Sequence, residues 1–126
     1  MMSVFSLLQW ILTFFASIFS IFNFNTPKTE VELYHNPSSG YRWEYEMDNE
    51  DILTFSESHY TPDKDSALSG KGGGTQHFTF KSKNEGTVSI TFRYYKYDNG
   101  EKVVISQYIY SYSVDKNGEI TLNSVK

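Results

Sequence analysis

Tyr41-Arg42-Trp43-Glu44-Tyr45-Glu46-Met47 alternates without a fault: aromatic or apolar side chains stand at 41, 43, 45 and 47, charged ones at 42, 44 and 46. A period of two is the mark of a strand with one face in a core and the other in water. The same period recurs downstream. Val88, Ile90, Phe92 and Tyr94 share one side of the stretch 87–95, and Phe78 and Phe80 are in phase within 75–80. Val104, Tyr108, Tyr110, Tyr112 and Val114 share a face of a long strand broken by the polar Ser106. Upstream, Val31 and Leu33 oppose Glu30 and Glu32 over 29–35, and 52–57 reads as a shorter strand. Turns fall at Asn84-Glu85-Gly86, Asp98-Asn99-Gly100 and Asp115-Lys116-Asn117-Gly118, the last leading into a final strand over 119–125. A long polar connection is expected from Ser58 to Gly74.

Six or seven short strands spaced by roughly ten residues, with no helical period after residue 25, argue for an all-β, two-sheet sandwich of immunoglobulin-like type. The chain of 126 residues has room for one such domain. It contains no cysteine, so neither a disulfide nor a thiolate nucleophile or metal ligand is available. The formal charge of −4 and the scatter of the 11 Lys and Arg exclude the concentrated basic surface that nucleic acid requires.

The first charged side chain is Lys28, and Val4 to Phe24 is apolar around its whole circumference. Such a run is long enough to cross a bilayer as a helix. Residues 1–25 are therefore expected to form a hydrophobic helix, either a secretory signal or a membrane anchor through 4–24, ahead of a domain over 26–126. Only the α-amino group supplies positive charge at the start, and around Ala16, Ser17 and Ser20 no pair of small residues has the spacing that cleavage prefers. Both features favour the anchor, and in either case the domain works outside the cytoplasm.

Traces of catalysis are absent. His35, His59 and His77 lie far apart with no metal-ligand spacing, Glu44 and Glu46 sit on a solvent face, and no Ser has a nucleophile-elbow context. No metal and no cofactor is expected. Ser69-Gly70-Lys71-Gly72-Gly73-Gly74-Thr75 fails as a phosphate loop, because Lys71 is followed by Gly72 where Ser or Thr is needed. It suits a loop that lets another backbone approach closely. In Arg93-Tyr94-Tyr95-Lys96-Tyr97-Asp98, Tyr95 and Tyr97 are out of phase with the inward set and face solvent beside a cation, as binding residues do.

Three of these stretches match one family. Asn36-Pro37-Ser38-Ser39-Gly40-Tyr41-x-Trp43 resembles the first loop, NP[TS][TS]G[YF]xW, of the chagasin-like inhibitors of papain-type cysteine proteases. The glycines 70–74 ahead of Thr75-x-x-Phe78 look like that family's second loop. Counted from Gly86-Thr87, its third motif, Arg-Pro-Trp, falls on Lys96-Tyr97-Asp98. Lys96 keeps the charge while the Pro and Trp are missing, so Tyr95 or Tyr97 supplies the aromatic face. The resemblance covers about Thr29 to Val114. The family's first strand has no counterpart, and either Phe22–Thr26 or Glu119–Val125 is left to cover the vacated edge.

The resemblance implies a monomeric, reversible, tight-binding inhibitor that is no enzyme and whose partner is a papain-like cysteine protease. It implies that Ser38 and Ser39 approach the catalytic Cys and His, that Gly70, Lys71, Gly72, Gly73 and Gly74 pair with substrate-binding backbone, and that Tyr95, Lys96 and Tyr97 pack on the far wall of the cleft. The competing class is a membrane-tethered, immunoglobulin-like adhesion or carbohydrate-binding module whose surface tyrosines stack on sugars.

Overall fold

The computed structural model describes residues 26–65 and 72–126. Seven strands follow one another: β1 (Lys28–His35), β2 (Arg42–Met47), β3 (Leu53–Pro62), β4 (Gly74–Ser82), β5 (Gly86–Asp98), β6 (Glu101–Val114) and β7 (Ile120–Val125). They build two sheets, β1-β4-β3 and β2-β5-β6-β7, in which every neighbouring pair is antiparallel. This is the all-β, immunoglobulin-like sandwich that the alternation predicts.

The core is what the inward halves of the strands deliver to the space between the sheets. Val31 and Leu33 from β1, Phe78 and Phe80 from β4, Val88, Ile90 and Phe92 from β5, and Tyr112 and Val114 from β6 are all buried there, with Trp43, Tyr45 and Met47 of β2 packed against them. Phe78, Phe80, Tyr45 and Phe92 form a chain of edge-on and tilted rings across the interface. Such contacts add directional preference to the roughly 1.5–3 kcal/mol that burial of each large apolar side chain contributes.

Several expectations are corrected. β3 continues to Pro62, through residues assigned to a polar connection. It is an edge strand, exposed along most of its length, so polarity there marks a wet strand face, not a loop. Val104 does not share a face with Tyr108. A bulge at Ile105 separates the pairs Tyr94↔Ser106 and Tyr95↔Val104, and the extra residue turns Val104 outward.

Of the two segments considered for the vacated edge, Glu119–Val125 forms β7, which pairs with β6 over Tyr110–Val114, while Phe22–Thr26 lies outside the described residues except for Thr26. The outer edge of β1 has no partner strand among the described residues. The hydrophobic N-terminal helix is corrected as well. No helix among the described residues is long and apolar enough to cross a membrane, and residues 1–25, on which that expectation and the anchor through 4–24 fell, lie outside them. An apolar run reports how much hydrocarbon a stretch carries, whereas the two sheets assemble from residues 28–125.

Candidate functional site: three connections at one pole

The register fixes which ends of the strands lie together. His35 and Pro62 both pair with Gly74, so β1 and β3 end where β4 begins. In the facing sheet Arg42 pairs with Tyr95, and the β5–β6 hairpin runs on past the start of β2 to the pair Asp98↔Glu101. The connection 36–41, the connection before β4 and the tip 98–101 therefore open at one pole of the sandwich. Gly70 and Lys71 lie outside the described residues, so the glycine loop is described only from Gly72 onward.

The first connection is stiffened from within. Pro37–Ser39 form one turn of 3-10 helix, with Asn36 as its cap: the Asn36 side-chain oxygen accepts from the Ser38 N–H at 3.0 Å. Proline at the first position loses nothing by lacking an N–H there. Gly40 closes the turn at φ +81°, a conformation that a side chain would strain. The two serines have different tasks. Ser39 donates its hydroxyl to the Asn36 carbonyl at 2.6 Å and accepts from the Tyr41 N–H at 3.2 Å. Ser38 is exposed, and its hydroxyl has no such partner among the described residues.

Beneath the turn stands Tyr94, a core side chain of β5 whose hydroxyl reaches the pole. It accepts from the Asn36 N–H at 3.0 Å, lies 3.1 Å from His35 Nδ1 and is 3.3 Å from the Ser39 hydroxyl. Tyr41 stacks on its ring at 5.4 Å, and Trp43 tilts against it at 4.7 Å while donating its indole N–H to the Tyr34 carbonyl. His35 is wedged edge-on between Tyr60 and Tyr94, and burial pushes its pKa below the ordinary value.

The glycines divide similarly. Gly72 is exposed at φ +98°. Gly73 and Gly74 are buried: a Cβ on Gly73 would run into the Tyr34 ring, and one on Gly74 into the Thr61 carbonyl. The close approach expected of a partner's backbone is, at these two positions, made by the chain's own residues. The Asp63 N–H closes the base of the connection on the Gly73 carbonyl at 3.2 Å.

In the third connection Asn99 (φ 51°) and Gly100 (φ 81°) form a two-residue turn of the kind that matches strand twist. Lys96 places its ammonium 4.9 Å from the centre of the Tyr41 ring, tying this hairpin to the first connection. Tyr95 and Tyr97 meet edge-on at 5.9 Å on the opposite face, and Tyr97 keeps 66% of its surface exposed. Lys102 lies over the Tyr95 ring and forms an ion pair with Glu44.

Sequence reasoning placed Tyr94 among the inward residues and His35 at a strand end, but missed both as supports of the first connection. The available signal was the hydroxyl itself, since a buried tyrosine at the polar end of a core strand must find a partner for it.

Two facing antiparallel sheets with a braced first connection, a braced β5–β6 tip and the described ends of a third connection at the same pole define a loop-presenting, immunoglobulin-like domain. The chain belongs to the chagasin family of peptidase inhibitors: the family described as "Chagasin family peptidase inhibitor I42" matches residues 26–114. As a member it is an inhibitor-type protein and not an enzyme. Its fold is also that of the cysteine protease inhibitor EhICP2 from Entamoeba histolytica, to whose crystal structure it is similar with a TM-score of 0.58 at 21% identity, over 67% of this chain and 75% of that one. No curated protein matches the chain.

Proposed function

We propose that the protein is a reversible, non-covalent inhibitor of papain-like cysteine proteases that inserts its three polar connections into the active-site cleft as a wedge. One observation carries this: the turn Pro37–Ser39 is braced from below by Tyr94 before any partner arrives. A tip ordered in advance loses little conformational entropy on docking. Its turn is also not the extended backbone that a protease cuts, and Gly40 holds the following peptide out of line. In this reading Ser38 is the foremost side chain at the catalytic Cys and His, and Ser39 supports it. Gly72 and its preceding residues Gly70 and Lys71 approach the substrate-binding backbone. Tyr95, Lys96 and Tyr97 pack on the far wall, with Tyr97 supplying the aromatic face. The protein acts as a monomer outside the cytoplasm, as a secreted inhibitor.

Papain activity titrated with the full 126-residue chain tests the proposal. Stoichiometric, reversible inhibition is expected, with the chain left uncut. Ser38→Trp should abolish inhibition while leaving the fold intact, whereas a sugar-binding surface built on Tyr95 and Tyr97 would be indifferent to that change. No inhibition at micromolar concentrations from a folded sample overturns it.

A further inference from the structure

The outer face of the β1-β4-β3 sheet holds a cluster that the sequence spacing hid. The register pairs Glu32 with His77 and His77 with His59, so these three residues form one row across the three strands. Alternation along β1 brings Glu30 to the same face. His77 Nδ1 lies 2.6 Å from Glu30 Oε1 and 3.8 Å from Glu32 Oε1, and the three donor atoms fall within 4.8 Å of one another. The His59 ring is stacked on that of His77 at 4.3 Å, within 3° of parallel.

We propose that this face binds a divalent transition-metal cation of the Zn²⁺ class through His77, Glu30 and Glu32, with the exposed His59 turning to supply a fourth donor. Imidazole nitrogen combined with carboxylate oxygen is a donor set for Zn²⁺, Cu²⁺ or Ni²⁺ and not for Mg²⁺, which prefers oxygen alone. Zinc bonds to such ligands are about 2.0–2.2 Å long, which sets neighbouring donors of a tetrahedral site roughly 3.3 Å apart. The two distances from His77 Nδ1 lie on either side of that value. His77 is held in place, its side chain 16% exposed, so one ligand is preorganised; the proton it shares with Glu30 through Nδ1 is released to solvent when the metal binds. No Lys or Arg among the described residues forms an ion pair with Glu30 or Glu32; both carboxylates lie against His77 Nδ1. The carboxylates are therefore not committed to a cationic side chain, although Lys28 and Lys81 stand further along the same face. Bound there, the metal clamps β1, β4 and β3 together, including the β1 edge that lacks a partner strand among the described residues.

The site lies on a sheet face and does not depend on the protease-inhibitor reading. Isothermal titration of ZnCl₂ into the full chain, prepared free of metal and without a polyhistidine tag, should show one saturable site and a raised melting temperature. MgCl₂ should show neither. His77→Asn and Glu30→Gln should each weaken Zn²⁺ binding at least about tenfold with the circular dichroism unchanged. In the parent chain, the ring resonances of His59 and His77 should move on Zn²⁺ addition while those of His35 stay. Absence of saturable binding by the parent, undiminished affinity in folded His77→Asn, or movement of His35 in place of His77 would each overturn the proposal.

Discussion

The first connection and the β5–β6 hairpin stand at the same pole but are held by opposite means. Asn36–Tyr41 is short, folded back on itself and bolted to the core through the Tyr94 hydroxyl. The hairpin is a ladder that overshoots its neighbour β2, capped by a turn that satisfies itself and steadied from the side by Lys96 over Tyr41 and Lys102 beside Glu44. One connection is rigid because a buried group anchors it; the other is rigid because its backbone pairs with itself. A mutation in the core should therefore disturb the first at a distance, whereas the second should respond to changes in its own turn and flanks.

Five expectations sharpen or break that contrast. The largest effect belongs to Tyr94→Ala, which removes both the ring beneath Tyr41 and Trp43 and the hydroxyl beneath Asn36. Chemical denaturation should show a loss of about 3–5 kcal/mol. Tyr94→Phe keeps the ring and leaves the Asn36 N–H without its acceptor, and should cost about 1–3 kcal/mol. Hydrogen exchange should rise at 36–41 and not at 96–101; equal rises in both would break the contrast.

Next comes Gly100→Val, which forces a branched side chain into a left-handed turn and should cost about 1–2 kcal/mol. Its exchange signature should be the mirror image, confined to the hairpin. Lys96→Met should remove about 0.5–1 kcal/mol of cation–π attraction with little change of fold. If the hairpin contributes to binding, this variant should inhibit papain less well, most visibly at low salt.

The smallest effect is one of pH. Burial depresses the pKa of His35 below its ordinary value of 6.5, so the folded state favours the neutral ring. The stability tied to that preference is complete above about 6.5 and declines as the pH falls from there through the depressed folded-state value. Denaturation midpoints followed from pH 7.5 to 5 should show a downward slope that His35→Gln flattens.

Much of this was legible in the sequence, and the misses share a cause. The strict alternation of 41–47 and 87–95 gave β2 and most of β5, because a half-buried antiparallel strand writes its burial into every second residue. The first loop could be read because Pro37 and Gly40 restrict the backbone locally. β3 was cut short because both its faces are largely wet and periodicity has little to report there. The bulge at Ile105 was invisible, since an extra residue changes phase without changing composition. His59 and His77 looked unrelated, yet β3–β4 pairing makes them neighbours. Contacts across strands depend on register, which composition does not encode. For the same reason Tyr94 could be placed in the core while its role at the pole went unseen.

The central claim is that a pole braced in advance is the surface that meets the protease. An amide-resolved NMR titration of the labelled chain with papain tests it directly. The account predicts that signals from 36–41, 72–74 and 95–100 move together and saturate at one equivalent, with those of β1 and β3 on the outer sheet face unchanged. Shifts gathered on that outer face, or in only one of the three connections, would contradict it.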